Sequence, residues 1–278
     1  MLVFASALQT GATPTGIAVR YDIERLQAFY ASPLGRTAGA MIQRRVGALW
    51  PTLAGLDVLG VGHCDYLLDS YRADARRAIS ASPETQGSVR WPASGKCAST
   101  LVEEDRLPFM DAIFDRIVVC HALEEAESPT RLLREFWRVA APEARILVIV
   151  AHRRGLWARA ESTPFGQGRP YTRSQLYRLL QDGMFQPTAS ARALYGPPMA
   201  IGDWAACGET WEGLGRMVWP GFGGILMVEA VKRVIAEPAS VVRTSRKTAK
   251  SQAPQPIQSP MKTPLKESSK EALDRNRR

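Results

Sequence analysis

Between Ala151 and Tyr171 the chain concentrates groups that can bind and react. His152, Arg153, Arg154, Arg169 and Tyr171 supply an imidazole, guanidiniums and a phenol along one short stretch. Guanidiniums fork onto the paired oxygens of a carboxylate or phosphate. An imidazole or a phenol can take a proton from a nucleophile. Arg153, Arg154, Arg169 and Tyr171 are therefore candidates for holding an anionic substrate. His152, Tyr171 and His121 are the candidates for proton transfer, His121 because it closes the apolar run Ile117-Val118-Val119-Cys120. A row of arginines along a solvated surface is the plainer account of any single one. Pro164, Gly166, Gly168 and Pro170 around Phe165 make this stretch a defined loop and not a helix. A second feature is Gly60-Val61-Gly62, which follows Leu56-Asp57-Val58-Leu59. Two glycines there let backbone amides come close to a ligand, although a plain tight turn has the same composition. Cys64, Cys97, Cys120 and Cys207 form no C-x-x-C pair and no metal-ligand spacing with the histidines. No metal is expected, and free thiols fit a reducing cytoplasmic setting.

The elements that must position these groups follow from periodicity. Ile117 to Val119 and Ile146 to Val150 are continuous apolar runs of the kind buried on both faces of a sheet. Between them Ser128 can cap a helix with Pro129 in its first turn, and Leu132, Leu133, Phe136 and Val139 recur at helical spacing. Strand, crossover helix and strand imply a parallel pair and an α/β fold. Further strands are expected at Leu56–Val61, Ala75–Ser80, Ala98–Val102, Met184–Tyr195 and Gly224–Val231. Helices are expected at Ile23–Tyr30, Thr37–Trp50, Thr172–Leu180 and Trp204–Val218. Ser32-Pro33-Leu34-Gly35 reads as the break between the first two helices. Trp204, Trp211 and Trp219 suggest a buried helix core, or else a lid or protein-binding face.

A chain of 278 residues, 45% hydrophobic, can bury a sizeable core. No apolar run approaches the roughly 18 residues of a membrane span, and Met1–Leu8 lacks the basic start and long centre of a signal peptide. The net charge of +9 is unevenly spread. From Ala236 on, ten Lys/Arg face four acids, so this stretch carries +6 and the remainder only +3. Rich in Ser, Thr, Pro and Gln, it is expected to be a disordered basic tail. Contact with nucleic acid would run through that tail alone.

The stretch Leu101–Val150, with Glu103, Leu107-Pro108-Phe109, Phe114-Asp115-Arg116-Ile117-Val118, Leu123-Glu124-Glu125 and Pro142-Glu143-Ala144, resembles the second half of the class I S-adenosylmethionine-dependent methyltransferases. The resemblance runs from about residue 50 to 190, with lesser support to Val231. It implies a Rossmann-like α/β fold with a seven-stranded, mostly parallel sheet and helices on both faces. It also implies S-adenosylmethionine as cofactor, held by Gly60 and Gly62, by Glu103 with Glu104 beside it at the adenine, and by His121 near the sulfur. The activity implied is methyl transfer to an acceptor. Departures from the family pattern are Val58 and Cys64 around the glycine turn, Glu84 four residues beyond the expected second strand, Glu125 in place of a histidine, and Glu143-Ala144 in place of two glycines. Val58, Cys64, the missing ribose acid and Glu125 favour the alternative of an inactive family member serving as a binding scaffold. The changed Pro142-Glu143-Ala144 turn is structural in the family and costs less functionally. The domain organisation expected is a helical cap over residues 1–50, the methyltransferase-like domain over 51–235 and the tail over 236–278. The partner expected is a small-molecule substrate.

Overall fold

In the computed structural model, residues 22–199, 212–215 and 217–233 are described. The basic tail, Met1–Leu8, Trp204 and Trp211 lie outside them. The two apolar runs lie side by side as expected. β4 (Phe114–Cys120) pairs in parallel with β5 (Ala140–Ala151), Ile117 opposite Ile146 and Val119 opposite Val148. With β1 (Asp57–Gly62), β2 (Arg77–Pro83), β3 (Ser99–Val102), β6 (Phe185–Ala193) and β7 (Ile225–Lys232) they form one sheet in the order β3-β2-β1-β4-β5-β7-β6. β7 is antiparallel to both of its neighbours, and the other pairings are parallel. This is the seven-stranded, mostly parallel α/β sheet that the sequence implied.

Alternation along each strand divides the core between two faces. Ile117, Val119, Ile146 and Val148 pack with Leu132, Leu133, Phe136 and Val139 of α4 (Pro129–Val139). Ser128 accepts the Arg131 amide at the start of that helix, with Pro129 in its first turn. Val118, Cys120, Leu147 and Ile149 face the other way, onto Phe29 of α1 (Ile23–Ala31) and Ala38, Met41, Ile42 and Val46 of α2 (Pro33–Leu49). Full burial of a Leu or Phe side chain is worth about 1.5–3 kcal/mol, so these two layers dominate the favourable side of folding. α2 starts earlier than expected: Ser32 accepts the Gly35 amide and Pro33 opens the helix, so Ser-Pro is a helix start here and not a linker. α5 (Arg173–Asp182) begins with a capping box between Thr172 and Gln175.

The half of the sheet nearest β3 is thinly covered. Between β1 and β2 stands only the four-residue α3 (Asp65–Leu68). β2 and β3 are joined by an irregular loop, anchored where the Trp91 indole donates to Asp69 at 2.9 Å. β2 runs further than expected because Ala81, Ser82 and Pro83 pair with Thr100, Leu101 and Val102. Glu84 is therefore the residue immediately after the strand. At the opposite end of β1, Asp57 accepts Arg76 and Arg77, the nearer guanidinium at 2.6 Å, and these hydrogen bonds hold its carboxyl below the usual range.

Gly62 ends β1 with φ 84°, and a Cβ there would lie 2.1 Å from the Cys120 carbonyl oxygen. Gly55 has φ 71° but open space around it. Gly55→Ala should cost roughly 1–2 kcal/mol, the strain of a left-handed residue. Gly62→Ala should cost roughly 2–4 kcal/mol, because the collision adds to the strain. Urea unfolding of both variants checks this; equal losses would mean that only backbone strain matters at Gly62.

Candidate functional site

In open α/β sheets, ligands bind outside the carboxyl ends of the strands, and the chemistry-bearing residues of this chain gather there. At the tip of β1 the glycines serve the chain's own packing. A Cβ on Gly60 would lie 2.8 Å from both Cys64 Cβ and Leu68 Cδ1. Cys64 adopts φ −111°, an ordinary conformation for a non-glycine residue, and its buried thiol donates to the Val61 carbonyl. The turn has therefore been rebuilt around a cysteine without backbone strain. The His63 amide donates to the Cys120 carbonyl at 3.0 Å, tying the tips of β1 and β4 together. Burial lowers the His63 imidazole to about 4.

An aromatic and imidazole cluster fills the space above these tips. α1 delivers Tyr30, whose hydroxyl lies 2.8 Å from His121 Nε2 and 3.3 Å from the Tyr66 hydroxyl. The Tyr30 and Tyr66 rings stack with centroids 4.6 Å apart, and His121 lies 4.8 Å from the Phe165 ring. Burial, then His63, lowers the His121 imidazole to about 3, so it is neutral and already engaged. Its backbone has φ 55°, a rare conformation for a non-glycine residue. The buried Gln86 amide donates to the His121 carbonyl at 2.7 Å, while the Gln86 carbonyl accepts the Ile23 amide at 2.8 Å. β2, β4 and the first turn of α1 are thereby laced together across the crevice.

Carboxylates mark the tips of the neighbouring strands. Glu84 follows β2 and Glu103 follows β3, and both line a cleft of about 210 Å³ with Thr85, Glu104 and Arg131. Glu104 also accepts the Glu127 amide at 3.2 Å. The sequence reading set Glu84 aside as a solvated loop acid because it ended β2 too soon. It passed over Glu124. One oxygen of Glu124 accepts the Ala151 amide at 3.1 Å, and the other is buried without a partner among the described residues. Burial raises this carboxyl to about 7. The only available signal was an acid just beyond an apolar strand.

The loop after β5 does not bring its cations to one place. Arg153, Arg169 and Tyr171 line a cleft of about 350 Å³ with Gln175 and Arg178. His152 and Arg154 line another, of about 610 Å³, with Arg173, Ser174 and Arg192. Tyr171 pairs with His152 through an isolated bridge, and its hydroxyl donates to the Leu123 carbonyl at 3.4 Å. Burial, then the nearby Glu124, raises its phenol to about 12. His152 is buried, and its Nδ1 lies 3.0 Å from the Gly223 carbonyl.

A family model described as a methyltransferase domain matches residues 48–148. Among solved structures, an S-adenosylmethionine-dependent methyltransferase of Thermotoga maritima aligns with a TM-score of 0.54 at 13% identity, covering 76% of this chain and 96% of that one. One from Aquifex aeolicus aligns at 0.51 and 15%, covering 77% and 100%. The [4+2]-cyclase SpnF aligns at 0.52 and 18%, covering 80% and 90%. At these identities the likeness is one of fold. No curated protein matches the chain.

The raised Glu124 carboxyl has a thermodynamic consequence. The fold favours its protonated form, so this contribution to stability is fully present below about pH 4.5 and is lost as pH rises through about 7. Glu124→Gln cannot ionise and escapes that loss. Relative to wild type, the variant should gain on the order of 2–3 kcal/mol between about pH 5 and about pH 8. Denaturant melts at the two pH values measure it, and a stability difference independent of pH would show that Glu124 titrates normally.

Proposed function

We propose that this chain, which belongs to the class I S-adenosylmethionine-dependent methyltransferase family, transfers a methyl group to a small-molecule acceptor carrying an anionic group. The observation that carries the reading is the pair of carboxylates at adjacent strand tips, Glu84 and Glu103, around one cleft. Carboxylates accept hydrogen bonds from ribose hydroxyls and from an adenine amino group, so this donor set fits the adenosine end of the cofactor. The glycine turn fits less openly. The space beside Gly60 and Gly62 is taken by Cys64, Leu68 and the Cys120 carbonyl, and Tyr30, Tyr66 and His63 pack above it. Glu84 and Glu103 would hold the adenosine, with Gly62 and His63 bounding the other end.

When bound, S-adenosylmethionine supplies an electrophilic methyl group. The residues of the chain then have to align the acceptor and exclude water. α1, laced to β2 and β4 through Gln86, covers the crevice. Glu124, poised near neutrality, can hold or release a proton at its unpartnered oxygen. Of the proton acceptors read from the sequence, His152 is the one lining a cleft of about 610 Å³. His121 is bonded to Tyr30, and Tyr171 keeps its proton. Among the described residues no helix is long and apolar enough to cross a membrane.

A second reading, an inactive scaffold, is favoured by the filled turn and by the four-residue α3. Calorimetric titration with S-adenosylmethionine and S-adenosylhomocysteine separates the two. Saturable binding is expected, and Glu84→Ala or Glu103→Ala should each weaken it by roughly 1.5–3 kcal/mol, the range for a charge-assisted hydrogen bond. Absence of binding up to millimolar ligand would favour the scaffold. Unchanged affinity in both variants would remove the carboxylates from the site.

A further inference from the structure

The cleft at the carboxyl end of β5 is lined by cations that the described part of the chain does not neutralise. Arg154, Arg173 and Arg192 converge there with His152, Thr172 and Ser174. None of the three guanidiniums has a carboxylate within ion-pair range among the described residues; their contacts are of other kinds. Arg154 lies 5.9 Å from the Phe222 ring centroid. Arg173 donates to the Tyr177 hydroxyl at 2.9 Å. Arg192 donates through Nη1 to the Pro220 carbonyl at 3.0 Å, while its Nε is buried without a partner. By contrast, Arg76, Arg77, Arg138 and Arg145 each pair with an acid.

Backbone packing fixes these groups in place. A Cβ on Gly155 would lie 2.6 Å from the Gly223 oxygen and from Gly224 Cα. That close approach seats the turn after β5 directly on the chain entering β7. The His152 amide donates to the Gly224 carbonyl at 2.9 Å, and its Nδ1 meets the Gly223 carbonyl. With the Nδ1 proton donated to that carbonyl, Nε2 keeps its lone pair. A Cβ on Gly223 would lie 2.8 Å from Arg192 Cβ, so the same junction positions Arg192. The first turn of the ten-residue α5 presents Thr172, Arg173 and Ser174 to the cleft and adds the positive end of its dipole.

We propose that this cleft is a binding site for a phosphate-type dianion. Three unneutralised guanidiniums overcompensate a single carboxylate but match a doubly charged oxyanion, whose oxygens suit their forked donors. The lone pair on His152 Nε2 can accept a hydrogen bond from the hydroxyl of a monoprotonated phosphate, a donor that a carboxylate lacks. The inference deepens the reading of an anionic acceptor and rests on it for the ligand's role in methyl transfer, but not for binding. It also moves the anion-holding residues away from Arg153, Arg169 and Tyr171, which line a different cleft.

The test is a calorimetric titration of the full chain with inorganic phosphate at fixed ionic strength and without cofactor. Its outcome is thus independent of whether S-adenosylmethionine binds. Saturable binding is expected, with acetate a poor competitor. Arg173→Gln and Arg192→Gln should each weaken binding roughly tenfold, the equivalent of one charge-assisted hydrogen bond. Arg153→Gln and Arg169→Gln, which remove the same charge from the neighbouring cleft, should leave it within about twofold. Melting temperatures of the four variants confirm folding, and should Arg192→Gln not fold, Arg173→Gln and Arg154→Gln carry the test. Equal weakening by all arginine variants, or no saturation by tens of millimolar phosphate, would overturn the proposal.

Discussion

The junction of β1 and β4 at their carboxyl ends constrains everything built above it. Gly62 lies so close to the Cys120 carbonyl that no side chain fits between them, and the same carbonyl accepts the His63 amide. Two central strands are thereby locked tip to tip in the middle of a seven-stranded sheet. From that lock the chain turns immediately into His63 and Cys64 on one side and into His121 on the other, the latter with a positive φ. The tyrosines stacked above it, the Gln86 seam to α1 and the buried Glu124 all depend on those two exits. A shift of either tip would break hydrogen bonds on three elements together.

The crevice that results is electrically asymmetric. At the β2 and β3 end stand Glu84, Glu103, Glu104 and Asp105. At the β5 and β6 end stand Arg154, Arg173 and Arg192. Between them the groups are neutral: His63 and His121 have lost their affinity for protons through burial, and Tyr30 and Tyr66 hold theirs more tightly for the same reason. Desolvation thus produces an uncharged divide, and the field along the strand tips runs from acid to base across it. Such a field would draw a cationic group toward the β2 and β3 end and an anionic one toward the β5 and β6 end.

Much of the frame was legible in the sequence, because continuous β-branched runs and a strongly amphipathic helix leave few alternatives. Ile117–Val119, Ile146–Val150 and Leu132-Leu133-Phe136-Val139 all took the expected places. The errors fell where tertiary pairing overrides local composition. β2 runs through Ser82 and Pro83 because β3 lies alongside as an edge strand, and Pro83 ends the run where its missing amide is harmless. That extension changes Glu84 from a loop acid into a strand-tip acid. The arginines were harder to read. Sequence proximity grouped Arg153 with Arg154, yet both sit in the turn after β5 and line different clefts. Arg173 and Arg192, distant along the chain, converge only because α5 and β6 return to the same edge.

A fold of this kind does not by itself decide chemistry. The aligned structures include methyltransferases and a protein described as a [4+2]-cyclase. Within this chain, protein volume is distributed unevenly around the strand tips. The turn after β1 is packed with its own cysteine and leucine, and the crossing from β2 to β3 carries no helix, so that half of the sheet is held by side-chain packing. The β5 edge, by contrast, is built from glycine-on-glycine backbone contacts that leave a cleft open and set a buried imidazole beside unneutralised arginines. Close backbone packing that creates space, where bulkier residues would have filled it, is difficult to explain by stability alone. Its natural consequence is a rigid rim, so that a ligand entering there meets groups already in position and forfeits little ordering entropy on binding.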